Sequence, residues 1–186
     1  VVIYGDYTTG DPPDTYVFMP TNDGMLHAFD GRTGLEEWAY IPTEMLGRLG
    51  ALRRNDLTAA RAVDEIDDEP VSPFGLDGDV RVLRLDKNLN GKIEATGNVN
   101  TSDRVWLFFG MRSGGNRYYA LDVTDRDDPQ LLWSIGPDEL PGVGLTWSPP
   151  VVTRVNVGGD NPNVDNEKFG LIFGGGYGYK QESQPD

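Results

Sequence analysis

Apolar and polar residues fall in short runs along this chain, separated by Gly, Asn and Asp. The stretch Arg81-Val82-Leu83-Arg84-Leu85 alternates polar and apolar, the period of a half-buried strand. Two longer segments share one order of parts. The first runs Tyr16-Val17-Phe18-Met19, Asn22-Asp23-Gly24, His27-Ala28-Phe29-Asp30, Gly34, Trp38. The second runs Val105-Trp106-Leu107-Phe108-Phe109, Gly114-Gly115, Tyr119-Ala120-Leu121-Asp122, Trp133. Each reads as a strand, a Gly-containing turn, a strand ending in Asp, a second turn and a strand bearing Trp. From Asp to Trp the spacing is 8 residues in the first segment and 11 in the second, and the turn Asp125–Pro129 accounts for the difference. A third apolar, Gly-rich segment, 169–176, reads as the opening of another unit.

A repeated unit of short antiparallel strands joined by Gly/Asp turns predicts an all-β fold, an irregular β-propeller, in which each small sheet stacks on its neighbours. Asp30 and Asp122 are expected to tie down the turns that follow them by side chain to backbone hydrogen bonds. Trp38 and Trp133 are expected to pack between blades. The repeats are too divergent for a regular WD40 array. About three blades are visible, so a closed ring needs more sequence than the chain provides.

The stretch Thr43–Arg53 is the one predicted helix. Thr43 is placed to cap it, and Met45, Leu46, Leu49 and Leu52 form an apolar face interrupted by Gly47 and Gly50. An acidic run, 64–70, precedes a Pro/Gly loop reaching to Asp79. It reads as solvated surface, or as charge that draws in cations.

The 186 residues suit one domain or a large part of one. With 16 basic and 30 acidic residues the net charge is −14, a surface that repels nucleic acid and anionic membranes. Four Trp, eight Tyr and seven Phe supply a layered core, which argues against global disorder. There is no Cys, hence no disulfide framework or thiol chemistry. No run of 18 apolar residues offers a membrane span. The opening Val1-Val2-Ile3-Tyr4 lacks Met and reads as that of an excised or processed segment.

The residues richest in chemistry are Asp86-Lys87-Asn88-Leu89-Asn90-Gly91-Lys92-Ile93-Glu94. Oxygen-bearing side chains occupy positions 1, 3, 5 and 9, with Gly at 6 and Ile at 8, as in the first nine residues of an EF-hand-type loop. Calcium is a hard cation that takes six to eight oxygens. Asp86, Asn88 and Asn90 supply side-chain oxygens in this reading, Lys92 its carbonyl, and Glu94 closes the site directly or through water. Position 12, where an EF-hand places a bidentate Glu, is Gly97. The strand before the loop excludes a flanking helix pair. Two charged ligands imply a modest affinity, roughly 10⁻⁶ to 10⁻³ M. The same residue types also build hydrated turns without metal. A later loop, 158–167, has calcium-friendly composition but poor spacing, with Pro162 two residues after Asp160.

With these residues in place, the chain resembles the C-terminal propeller of the PilY family, type IV pilus biogenesis and tip-adhesin proteins. The resemblance is carried by Thr21–Asp30 (TNDGMLHAFD), Tyr40-Ile41-Pro42, Tyr118–Thr124 (YYALDVT), Leu145–Val151 (LTWSPPV) and Phe173–Tyr177 (FGGGY). These motifs span most of residues 16–180, and the resemblance makes 1–186 part of a single C-terminal propeller domain. The resemblance implies a calcium loop falling on Asp86, Asn88, Asn90, Lys92 and Glu94. Asn at 88 and 90 leaves it fewer carboxylates than a strongly acidic version has. It also implies calcium-linked pilus extension, retraction and twitching motility, and adhesion to host or other surfaces. Pilins or minor pilins are the implied partners. The implied location is the cell surface, reached by export through the periplasm.

Nothing in the sequence forms a nucleophile with an acid and a base. His27, the single histidine, sits in an alternating strand and reads as packed or hydrogen-bonded. The glycines at 174–176 open no helix, which disfavours a phosphate-binding loop. The expectation is therefore a binding protein and not an enzyme. Two alternatives stand beside it: a structural calcium site in a surface-adhesion propeller, and a quinoprotein dehydrogenase-like propeller, for which no matching residue set is present.

Overall fold

Each sequence repeat forms one four-stranded antiparallel sheet. A computed structural model describes residues 1–5, 14–55, 74–94, 102–156 and 167–176. The first sheet holds β1 (Val2–Ile3), β2 (Thr15–Pro20), β3 (Leu26–Asp30) and β4 (Glu36–Tyr40), in that order. The second holds β5 (Val80–Leu85), β6 (Arg104–Gly110), β7 (Tyr118–Asp122) and β8 (Gln130–Ile135), again in order. β9 (Val151–Asn156) and β10 (Glu167–Ile172) form a two-stranded antiparallel sheet. Sheets of consecutive strands, stacked and not closed on themselves, are blades of a partial propeller.

The two full blades share a fine detail. In the first, Ala28 pairs with Trp38, and the register shifts so that Phe29 pairs with Glu36. In the second, Ala120 pairs with Trp133, and the register shifts so that Leu121 pairs with Leu131. A small residue thus faces each Trp, and a bulge follows it. After each bulge comes the Asp that the sequence picked out. Asp30 accepts from Arg32 N (2.9 Å) and Thr33 N (2.6 Å), and Asp122 accepts from Thr124 N (2.9 Å). Hydrogen bonds from Thr33, and desolvation working against them, leave the Asp30 carboxyl below its usual range.

The second blade is the middle layer, and its composition says why. Val105, Leu107, Phe109, Tyr119, Leu121 and Val123 pack with Val2, Tyr4, Tyr16, Phe18, Leu26 and Ala28 of the first blade. On its other side, Leu83, Phe108 and Ala120 meet Trp106, Trp133, Val152 and Leu171. A sheet covered on both faces needs no polar alternation, hence the unbroken apolar run from Val105 to Phe109. Burying a side chain such as Leu107 contributes about 1.5–3 kcal/mol. Trp38 does pack between blades, against Phe18 (5.7 Å between ring centroids), and its Nε1–H donates to the Arg126 carbonyl at 2.6 Å. Trp133 lies between the second blade and the β9–β10 sheet, 6.0 Å from Phe108.

The predicted helix is broken in two. α1 (Thr43–Leu46) and α2 (Leu49–Arg54) are separated at Gly47-Arg48. Thr43 is not the cap: Pro42 holds that position, and no side chain caps the first turn. The break also rotates Leu46 out of the apolar face, leaving it 58% exposed, while Met45 is buried and Leu49 and Leu52 pack on the core. Arg48 stitches the break to the second blade, donating to the carbonyls of Gly114 (2.6 Å) and Phe74 (3.0 Å). Gly114 is held so close to Gly75 O that an added Cβ would lie 1.7 Å from it. The acidic run 64–70 and all but the last residue of the loop 158–167 lie outside the described residues.

Candidate cation-binding loop

β5 ends at Leu85, and the next nine residues coil back on themselves. The coil is set by side-chain oxygens that accept from backbone N–H groups further along. Asp86 Oδ2 accepts from Gly91 N at 2.8 Å. Asn88 Oδ1 accepts from Asn90 N at 3.0 Å, and Asn90 Oδ1 accepts from Lys92 N at 2.8 Å. Positions 3 and 5 thus form successive Asx turns, each accepting from the N–H two residues on, while position 1 accepts from the N–H five residues on. Gly91 has φ 84°, a value that glycine adopts without a Cβ penalty. Leu89 has φ 57°, an uncommon choice for a branched aliphatic residue.

Asp103, absent from the sequence reading, holds both ends of the loop. Its Oδ1 accepts from Lys87 N and its Oδ2 from Glu94 N, each at 2.8 Å. The residue is 2% exposed, so its charge is met mainly by these donors. A single Asp just before a strand carries no sequence signal for such a role. The loop is also joined to the first blade. Ile93 packs on the core, and its N–H donates to Tyr4 O at 2.9 Å. Arg84 donates to Ile3 O (2.9 Å) and to Gly91 O (3.1 Å).

The five sequence-predicted residues lie along one turn of chain. Asp86 is half-buried, whereas Asn88, Asn90, Lys92 and Glu94 are exposed. Asn88 Nδ2 approaches Glu94 Oε2 at 3.5 Å, which brings positions 3 and 9 together. Asp86 Oδ1 is buried and has no hydrogen-bond partner. A buried carboxylate oxygen left unmet is costly, and it is the atom a hard cation would meet. Among the described residues no three His, Asp or Glu side chains form a metal-ligand group. The oxygens on offer are instead mostly amide and carbonyl, which calcium accepts. Against a cation stand the Arg84 guanidinium and the charges of Lys87 and Lys92.

His27 is hydrogen-bonded, as its strand setting suggested. Its Nε2 is hydrogen-bonded with Asp23 Oδ2 at 3.0 Å, its buried Nδ1 lies 3.4 Å from Glu36 Oε2 without a hydrogen bond, and the ring stacks on Phe29. A second polar cluster joins α1 to β7. Arg117 pairs with Glu44 (3.1 Å), Asp138 (2.9 Å) and Glu139 (3.3 Å), and Tyr119 donates to Glu44. Burial, then the bond to Glu44, raise the Tyr119 phenol well above its ordinary value. The Arg117 cation is satisfied by its carboxylates, and neither cluster presents a nucleophile beside a base.

The family model of the PilY1 beta-propeller domain matches residues 5–186. The chain is 30% identical over 180 residues to the type IV pilus biogenesis factor PilY1 of Pseudomonas aeruginosa, covering 91% of this chain and 14% of that protein. It is 27% identical over 163 residues to a PilY1 homolog of Xylella fastidiosa, covering 84% of this chain and 11% of that one. The crystal structure of the Pseudomonas aeruginosa PilY1 C-terminal domain superposes with a TM-score of 0.55 at 27% identity, over 90% of this chain and 26% of that domain. The chain thus spans a small part of the length of the relatives it matches. Among the described residues no helix is long and apolar enough to cross a membrane.

Proposed function

The chain belongs to the PilY1 beta-propeller family, and on that premise we propose that it is a calcium-responsive blade assembly of a type IV pilus-associated surface protein. Asp86, Asn88 and Asn90 would hold the ion through side-chain oxygens, Lys92 through its carbonyl, and Glu94 directly or through water. The observation that carries this reading is the buried, unpartnered Asp86 Oδ1 in a loop already coiled by its own oxygens. Calcium supplies charge neutralisation there. Binding to the folded state alone stabilises that state by mass action.

The loop's neighbours say what such stabilisation reaches. Ile93 sits in the core between the first two blades, and Asp103 precedes β6. Ordering of 86–94 therefore firms the seam between blades. Surfaces on that seam would contact pilus components, with pilins or minor pilins as the class of partner. Adhesion and the balance of extension and retraction follow as the processes served. The working location is the cell surface.

The test is cellular. Cells carrying Asp86→Ala in the full-length protein are expected to lose the calcium dependence of piliation and twitching. Wild-type behaviour across calcium concentrations would remove the switching role. A structural calcium site in an adhesion scaffold is the second reading, favoured by the Ile93 contact with the core. It predicts a lower melting temperature without calcium and unchanged partner binding while the protein is folded.

A further inference from the structure

Asn90-Gly91 is the one Asn-Gly step in the sequence. An Asn followed by Gly is prone to cyclise, because no side chain on the next residue obstructs attack by its backbone nitrogen on the Asn side-chain carbonyl carbon. We infer that Asn90 is a self-modification site, and that the loop's own hydrogen bonds promote its conversion to aspartate or isoaspartate.

Three groups are placed for the reaction. The Lys92 N–H donates to Asn90 Oδ1 at 2.8 Å, so the side chain is folded toward the backbone that follows it. That same bond polarises the carbonyl and meets the negative charge that grows on Oδ1 during attack. The Gly91 N–H donates to Asp86 Oδ2 at 2.8 Å, so a carboxylate stands ready to accept the proton the nitrogen must lose. The assignment of Oδ1 is unambiguous, since a backbone N–H can only donate. Asn90 is exposed, and water for the second step is at hand.

The steps balance. Gly91 N forms a bond to Asn90 Cγ and gives its proton to Asp86. The Cγ–Nδ2 bond then breaks, and the amide leaves as ammonia with that proton. Water opens the five-membered imide at either carbonyl. One opening leaves an aspartate at position 90, and the other an isoaspartate that lengthens the backbone. Water is consumed, ammonia is released, and nothing is oxidised.

The consequence for cations rests on the reading proposed above, but the conversion does not. An aspartate at 90 adds a third carboxylate to the loop and raises its affinity. An isoaspartate breaks the register of 90–94 and abolishes it. The loop then becomes a timer, with binding strength set by protein age.

The test follows the folded protein held in chelator at neutral pH. Samples taken over time are digested, and converted peptide is measured by mass spectrometry. Asn90 is expected to convert well ahead of Asn22, Asn55 and Asn88. Asp86→Asn is expected to slow conversion roughly a hundredfold in the folded state, the low end of general-base contributions, and to change nothing in urea. Asn90→Gln should abolish the signal. Conversion of Asn90 no faster than of Asn88, or an Asp86→Asn effect equal in both states, would overturn the inference. If Asp86→Asn fails to fold, wild type decides alone: slower conversion folded than in urea overturns it. Excess calcium should suppress the reaction by engaging the Asp86 carboxylate, which then no longer takes the Gly91 proton. Conversion unchanged by calcium would reject the cation reading and leave the modification standing.

Discussion

The Gly91 N–H donates to Asp86 Oδ2 at 2.8 Å, while the other oxygen of Asp86 is buried without a partner. One oxygen shapes the loop, and the other meets no hydrogen-bond donor of the described residues. That division of labour within one carboxylate distinguishes this loop from an ordinary Asx turn, in which every buried acceptor is met by the backbone.

Asp103→Ala should open the loop at both ends. It removes the acceptor for two backbone donors, Lys87 N and Glu94 N. Bonds to a charged acceptor are worth about 1.5–3 kcal/mol each and are rarely additive, so a loss of about 2–4 kcal/mol is expected by urea denaturation. Faster hydrogen exchange should appear at the 87 and 94 amides.

Leu89→Asn should stabilise the metal-free protein. Leu89 is 86% exposed and holds φ 57°, so it contributes strain without packing. Asn tolerates the left-handed region far better. A gain of about 0.5–1 kcal/mol is expected in denaturant titrations. No gain would show that the backbone rearranges at 89.

Leu107→Ala tests the stacked-blade core. Leu107 is 0% exposed and faces the first blade. A loss of about 2–5 kcal/mol is expected, against under about 0.5 kcal/mol for a control at the exposed Leu35.

Stability should fall steeply in alkali. Burial holds Tyr4, against the opposing Arg126 cation, and Tyr119, with help from Glu44, well above the ordinary value of 10.0, and Tyr16 is pushed up to about 12. An unfolded chain ionises these phenols near pH 10. The folded chain keeps their protons, so their contribution is complete below pH 10 and is lost as pH rises through the folded values. Thermal melts from pH 9 to 12 should show the decline beginning near pH 10. Tyr4→Phe should make it shallower.

Much of this fold could be read from the chain, and the reasons are local. The repeat Ala-aromatic/Leu-Asp followed by Trp marks a small residue facing a large one at a bulge, and both blades obey it. The Asx oxygens at 86, 88 and 90 act within five residues of themselves, so spacing alone reveals them. Asp103 was invisible because its partners lie 16 and 9 residues away, and only folding brings them close. The helix failed for a related reason. Its apolar face implied one continuous helix, but Arg48 reaches carbonyls of Gly114 and Phe74, and those tertiary bonds override the local pattern.

The most direct measurement is calorimetric titration of calcium into chelator-treated protein, beside Asp86→Asn and a magnesium control. One saturable calcium event is expected, in the range of roughly 10⁻⁶ to 10⁻³ M. It should be lost in Asp86→Asn and weak with magnesium. A folded protein that takes up no calcium, or takes it up equally well without the Asp86 carboxylate, would contradict the assignment of residues 86–94 as the cation site.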